Sequence, residues 1–502
     1  MFHLKKANSA SLIIAFLLVV SFLASGRIVV KGNQATWVVD ASGKGNFSTI
    51  QEAINAANPR DTIFVLKGVY YESVNLNKSI LLIGEDVDST ILDGNRTGDV
   101  IDLTANNTRI NGFTIRGSRI YPSYSAIRIE HASNTSVSGN KITLNYCGIS
   151  LYSSYNNTIS DNVISYSSVD GISLYSSINN TISNNTISNN YVDGISFYSS
   201  NNNTVTGNTI ISNQVNGMIL SMYSNHNTIY HNNFDNEQQV WNDATSTCSW
   251  SYDQEGNNWN DYVGKDLNED GIGDNTYLID ANNQDDYPLM GKFTIFDASF
   301  NKTTYDITVI SNATIAAFRF EYNPETGNKI ILLNATATGS AFTFCRIRIP
   351  TEMMDRPFTV LTGQEEITPT LLTISNRTYS HLYFTYVDGQ QAVRIMSSES
   401  LRLYVELLDK FTQLQSDVHS INVTYYDLKS NYTSLLDDYN RLQDNYRELN
   451  SSYHEHLLEF NESEQNLRSL TYIFVFAMAV LIAVTGYLSS TRTRRTVTTK
   501  AK

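Results

Sequence analysis

Four glycines, Gly148, Gly171, Gly194 and Gly217, stand 23 residues apart, and the first three open nearly identical units. These read GISLYSSYNNTISDNVISYSSVD, GISLYSSINNTISNNTISNNYVD and GISFYSSNNNTVTGNTIISNQVN, with looser copies beginning at Ala126 and near Val100. A fixed period of this length means a stack of like units. Within a unit, short runs alternate apolar with polar residues: Ile149 and Leu151, then Ile159, then Ile164. That alternation belongs to strands, whereas a helical repeat needs apolar residues three and four apart over a longer run. The Asn and Ser that fill the units are also poor helix formers. Three short strands per unit give one coil of a right-handed parallel β-helix, with coils stacked about 4.8 Å apart. Identical residues then form ladders along the axis, aliphatic ones inside. Asn162, Asn185 and Asn208, in register with Asn140 and Asn232, are expected to bond inward at a turn. Asn184 aligns with Asp161 and Gly207 and is expected to face water.

The two ends predict the topology. Lys5 and Lys6 precede an apolar run from Leu12 to Leu23 and the small residues Ala24, Ser25 and Gly26. This layout makes residues 1–26 a cleavable signal peptide, with an uncleaved anchor as the alternative. Tyr472 to Leu488 is uninterruptedly apolar, so residues 471–491 are expected to span a membrane once. The basic tail 492–502 then stays cytoplasmic, and Arg27 to Thr471 lies outside. Seventeen Asn-x-Ser/Thr sequons between Asn46 and Asn461 agree with an extracellular glycoprotein. A formal net charge of −14 argues against nucleic-acid binding. Cys147, Cys248 and Cys345 are too few and too scattered for a disulfide framework or a zinc cluster.

Ser48-Thr-Ile-Gln51 has a capping-box pattern, followed by Ile50, Ala53, Ile54 and Ala57 on one face. A short amphipathic helix there would cap the open N-terminal edge of the β-helix. The stretch WVVDASGKGNFSTIQEAINAANPRDTIFVLKGVYYESVNLNKSILLIGE resembles the opening of pectin-lyase-like β-helix proteins, pectin methylesterases included. The NNTI-type coils resemble the carbohydrate-binding and sugar-hydrolysis repeats and the NosD family, named for nitrous oxide reductase maturation. The likeness spans roughly Trp37 to Met290 and implies the fold more than an activity. The QDT and DFIFG segments that carry the methylesterase carboxylates have no counterpart here, which disfavours an esterase.

The β-helix is expected over 37–290. Its last segment, GNNWNDYVGKDLNEDGIGDNTYLIDANNQDDYPLM, is similar to the end of many archaeal surface β-helices. Within it Asp266, Asn268, Asp270, Ile272 and Asp274 have the spacing of an acidic calcium loop. Tyr277 stands where an EF-hand has Glu, so the expectation is a structural calcium site of dockerin or thrombospondin type, with a solvated turn as the alternative. Residues 291–403 read as a β-sandwich, with strand-like runs between turns such as Pro324 to Gly327. Over 404–470 one seam repeats every seventh residue from Phe411 to Phe460 and another from Leu407 to Leu449. This predicts a coiled-coil stalk, hence a homo-oligomer, with a single packed helix as the alternative.

Aligning the coils gives surface columns. One holds Asp102, Arg128, Ser150, Ser173 and Ser196; its neighbour holds Thr104, Glu130, Tyr152, Tyr175 and Tyr198. Just before the units lie Asp99, Ser125, Cys147, Asp170, Asp193 and Asn216. Asp102, Arg128, Glu130 and His131 would therefore meet on one outer face, with residue types that a lyase or hydrolase needs. Asp102–Arg128 also reads as a ladder salt bridge, and Asp170 and Asp193 as Asp-Gly turn residues or as a pair sharing calcium or a proton. The tyrosines are candidates for sugar stacking or for a structural ladder. Met218, Met222, His226 and His231 fall in one coil with copper-type ligands, but Met218 aligns with core isoleucines, which disfavours copper. The favoured expectation is a membrane-anchored surface protein that binds an envelope or extracellular polysaccharide or serves structurally. A polysaccharide-cleaving enzyme and a copper-handling maturation factor are the alternatives.

Overall fold

A computed structural model describes residues 28–30, 34–121, 123–325, 327–337, 343–387, 389–397, 399–447 and 456–495. The expected signal peptide, 1–26, and the tail beyond 495 lie outside the described residues. The chain divides into two compact units between Arg402 and Leu403.

Every third strand of the first part joins the same sheet, giving parallel sheets of ten, nine and eight strands wound as a right-handed β-helix. Only the leading strand Ile28–Val30 runs antiparallel to its neighbour, Gln34–Val39. The register is that of the repeat: Ile149 faces Ile172, then Ile195, then Met218, all fully buried. The glycine column has a steric cause. A Cβ on Gly171 would stand 2.6 Å from Ile187 Cγ2 and 2.7 Å from the Gly194 carbonyl oxygen. The side chain must be absent for the opposite wall and the next coil to close.

Corners are turned on residue pairs. In the central coil Asn179, Asn184 and Asn189 take φ of 57°, 56° and 57°, and the asparagine that follows each one is buried. Asn tolerates this left-handed backbone better than most residues, and its successor then points into the core. The inward amides chain from coil to coil. The Asn162 amide N–H donates to Asn185 Oδ1 at 3.0 Å, and that of Asn185 to Asn208 Oδ1 at 2.9 Å.

Both ends of the stack are plugged. The helix Ile50–Ala56 buries Ile50, Ala53 and Ile54 in the β-helix core. Its N-cap is Thr49, whose hydroxyl accepts from the Glu52 amide, one residue later than the Ser48 pattern suggested. Glu72 from a following coil accepts from the free amides of Ile50 and Gln51, placing an anion at the helix start. At the far end Trp259 stacks between Phe234 (4.6 Å) and Tyr277 (4.3 Å) and closes the core.

Lys292 to Met396 forms two antiparallel sheets of five strands around a separate core that includes Ile307, Ile331, Ile347 and Ile395. The sandwich joins the β-helix through a second apolar cluster that contains Ile272, Leu289, Phe293 and Phe344. The other unit contains helices Glu399–Arg447 and His456–Arg495. Leu407, Phe411, Leu414 and Leu428 are exposed along the first helix, so the heptad seam is present as an uncovered apolar stripe. Residues 448–455 lie outside the described set, and the Tyr425 and Phe474 ring centroids are 6.4 Å apart.

Candidate functional site

The outer face of the eight-stranded sheet carries the aligned columns. Gly148 and Ile149 both turn toward the core, which sends Cys147, Ser150 and Tyr152 outward together. The strip they form is polar yet largely buried, with the tyrosine column beside it. Asp170 Oδ2 accepts from Ser173 Oγ at 2.8 Å, and its Oδ1 accepts from the Asp193 amide. Asp193 Oδ1 accepts from Asn216 Nδ2 at 2.7 Å. The Asp193 amide thus links the two aspartates along the axis. Burial raises both carboxyls, Asp170 to about 6, and Asp99 likewise to about 6. Burial also pushes the Cys147 thiol up to about 12, so it is an inert thiol buried in the strip.

Asp102 and Arg128 stand opposite each other on adjacent strands, as aligned. They make no ion pair: Arg128 Nη2 donates to Glu130 Oε1 at 3.0 Å instead. Asp102 Oδ1 and Arg128 Nε are left buried without a partner. Desolvation raises the Asp102 carboxyl, a rise that Arg128 opposes. His131 is exposed at the rim, its Nδ1 4.0 Å from Glu130 Oε1.

The tyrosine column is present, but its rings face one another. Tyr152 and Tyr175 stack at 4.7 Å and Tyr175 and Tyr198 at 4.8 Å, tilted by only 4° and 5°. Arg128 covers the remaining face of the column's first ring at 4.5 Å. A pyranose therefore cannot stack on the Tyr175 face. What the column offers a ligand is ring edges and a row of hydroxyls, a correction that follows from coil spacing matching aromatic stacking distance.

In the acidic loop Asp266 accepts from the amides of Asp270 and Gly271, at 3.0 and 2.8 Å. Asp270 Oδ1 accepts from the Ile272 amide and Asp274 Oδ2 from the Leu267 amide, while Asn268 Nδ2 donates to Asp270 Oδ2. The donors are the hard oxygens calcium prefers. They are spread on local amides, and among the described residues no three His, Cys, Asp or Glu side chains converge as a metal shell.

One cluster had no signal in the sequence. Glu255 accepts from His231 Nε2 at 2.7 Å and pairs with Arg346 of the sandwich, which also donates to the Asp270 carbonyl oxygen. Burial would raise the Glu255 carboxyl, but the His231 hydrogen bond and the Arg346 charge outweigh it and hold it down at about 2. Its partners lie 24 and 91 residues away, and neither Glu255 nor Arg346 belongs to the repeats, so spacing could not reveal the cluster.

Fold and strip together define a parallel β-helix protein with a polar outer face. Residues 54–264, less than half of the chain, match the family described as periplasmic copper-binding protein (NosD). The probable pectinesterase/pectinesterase inhibitor 6 of Arabidopsis thaliana is 44% identical over 72 residues, 12% of this chain and 13% of that protein. The pectinesterase/pectinesterase inhibitor 18 of the same plant is 32% identical over 130 residues, 24% of this chain and 23% of that protein. The chain thus spans only a small part of the curated relatives it matches. Among solved structures, an alginate lyase from Paenibacillus has a TM-score of 0.30 at 16% identity, covering 41% of this chain and 91% of that one. Pectin methylesterase from carrot has a TM-score of 0.26 at 14% identity, covering 42% and 80%.

The copper-type residues do not fit a copper site. Met218 is fully buried in the core, Met222 is exposed on the surface, and His231 is engaged by Glu255.

Proposed function

We propose that this is a membrane-anchored surface protein whose β-helix binds neutral, hydroxyl-rich glycans along the outer strip of the eight-stranded sheet. One observation carries the reading. Asp102 Oδ1, Arg128 Nε and Asn216 Oδ1 are buried without partners, and all three lie on this strip. An unsatisfied buried polar atom costs about 1–3 kcal/mol until a partner arrives. From Asp102 to the coil of Asn216 the strip climbs five rungs, roughly 24 Å at about 4.8 Å each. Sugar hydroxyls both donate and accept, so they suit a strip of carboxyl oxygens, serine and tyrosine hydroxyls and one guanidinium. The apolar window Asn466–Thr485, of mean hydropathy 2.1, supports a single membrane span, and the exposed heptad stripe supports a homo-oligomer.

The test is affinity electrophoresis of the full-length protein in detergent through gels containing neutral polysaccharides. Arg128→Gln with Asp102→Asn should weaken retention roughly tenfold while the unfolding temperature holds. Tyr175→Phe, which keeps the ring ladder and removes one hydroxyl, should weaken it by less. Retention of the double variant equal to wild type would overturn the reading.

A hydrolase or lyase is the second reading. It is favoured by Asp99 and Asp170, whose carboxyls at about 6 stay partly protonated near neutral pH and suit a general acid. Reducing-sugar or unsaturated-product release that Asp170→Asn abolishes would establish it; no release from any retained polysaccharide would remove it.

A further inference from the structure

Between the C-terminal end of the β-helix and the sandwich lies a cleft of about 870 Å³. Arg348 and His381 enter it from opposed positions on adjacent sandwich strands. Two of their buried atoms, Arg348 Nε and His381 Nδ1, have no hydrogen-bond partner. The neighbouring Arg346 is spent on Glu255, whereas Arg348 makes no ion pair among the described residues. Its guanidinium lies 4.8 Å from the Tyr379 ring centroid. A guanidinium resting on an aromatic face keeps its in-plane N–H groups free for bidentate recognition of a carboxylate. Burial and nearby Arg346 push the His381 imidazole down to about 4, so it is neutral and offers one N–H and one lone pair.

The rest of the lining selects the kind of anion. Asp253, Asp274 and Asp286 also border the cleft. They repel a polyanion such as a phosphate group, but they accept hydrogen bonds from hydroxyls. Tyr230 and Tyr252 add ring surface on the β-helix side. A ligand that satisfies all of these has one carboxylate, several hydroxyls and an apolar ring face. We infer that the cleft is a second saccharide site, separate from the outer strip, and that it takes a uronic acid unit with its carboxylate on Arg348.

The experiment is isothermal titration of the full-length chain in detergent with D-glucuronate, and with D-glucose as the neutral counterpart. In the strip variant Arg128→Gln with Asp102→Asn, where only the cleft is left to bind, glucuronate should bind and glucose at the same concentration should not. Arg348→Gln should cut the affinity at least tenfold, and His381→Gln several-fold. Arg348→Lys keeps the charge but loses the fork, so it should fall between Arg348→Gln and wild type. It also decides the matter where Arg348→Gln does not fold. The strip variant Arg128→Gln with Asp102→Asn should bind glucuronate as wild type does, which separates this site from the strip. Equal heats for the two sugars in the strip variant, or unchanged affinity in a folded Arg348 variant, would overturn the inference.

Discussion

At the scale of single residues, the Asn-Asn pair is the device that makes this chain a β-helix. Its first member takes the left-handed turn and stays outside; its second turns inward and satisfies corner backbone groups. Asn185 Nδ2 donates to the Ile159 carbonyl oxygen and to Asn208 Oδ1, and Asn185 Oδ1 accepts both the amide and the Nδ2 of Asn162. Asn185→Ala removes all of these and should cost about 2–4 kcal/mol, several hydrogen bonds at about 1 kcal/mol each. Asn184→Ala loses only ease in the left-handed region and should cost about 1 kcal/mol. Equal denaturant midpoints for the two would mean that the inward ladder contributes nothing. The Asn162 column was legible because it repeats with the glycines. A second inward column, Asn157, Asn180, Asn203 and Asn227, repeats as regularly. The tyrosines show the limit of such reading: period places a residue in a column but does not orient its ring. Face-to-face stacking became visible only when three phenols stood one coil apart.

At the scale of elements, the strands were the most legible because one period fixes their register, whereas elements without a period were read only in outline. The sandwich was expected from its turns, but the pairing of Arg348 with His381 depends on which of its strands are neighbours. That is a long-range choice that local pattern does not encode. The acidic loop lies between these cases. Its spacing was plain, and the Asp266 hydrogen bonds to the amides of Asp270 and Gly271 give it the curvature of an ion-binding turn. Calcium is expected to draw Asp266, Asp270 and Asp274 together and to fasten the last coil, raising the melting temperature by a few degrees over that in chelator. Asp270→Ala should erase that gain while melting like wild type in chelator. Wild type melting alike in calcium and in chelator would leave the loop as a turn held by its own hydrogen bonds.

At the scale of the molecule, buried acids of opposite tendency set how the β-helix and sandwich respond to pH. Glu255, held at about 2 by His231 and Arg346, contributes stability that is complete above its ordinary value of 4.5. That contribution is lost as pH falls toward 2, because the folded state must then take up a proton it resists. Asp99, Asp170 and Asp285 behave in reverse, raised to about 6 from 3.8 mainly by burial. Folded carboxyls that hold protons more tightly than unfolded ones stabilise fully below 3.8, and this is lost as pH rises through 6. For Asp170 alone the loss is on the order of 3 kcal/mol, since one pKa unit corresponds to about 1.4 kcal/mol. A formal net charge of −14 adds self-repulsion in the same direction as the acids ionise. Melting temperature against pH should therefore form a dome with its top near pH 4–5, below the usual optimum of about 5–8. Asp170→Asn keeps an acceptor for the Asp193 amide and carries no charge, so it should raise melting above pH 6 and flatten the descending limb. Glu255→Gln leaves Arg346 buried beside a neutral partner and should cost about 3–5 kcal/mol at pH 7, while flattening the acid limb. A melting temperature that climbs steadily to pH 7 in wild type, unchanged by Asp170→Asn, would show that the strip acids are ionised without penalty. The strip would then be open to water rather than buried.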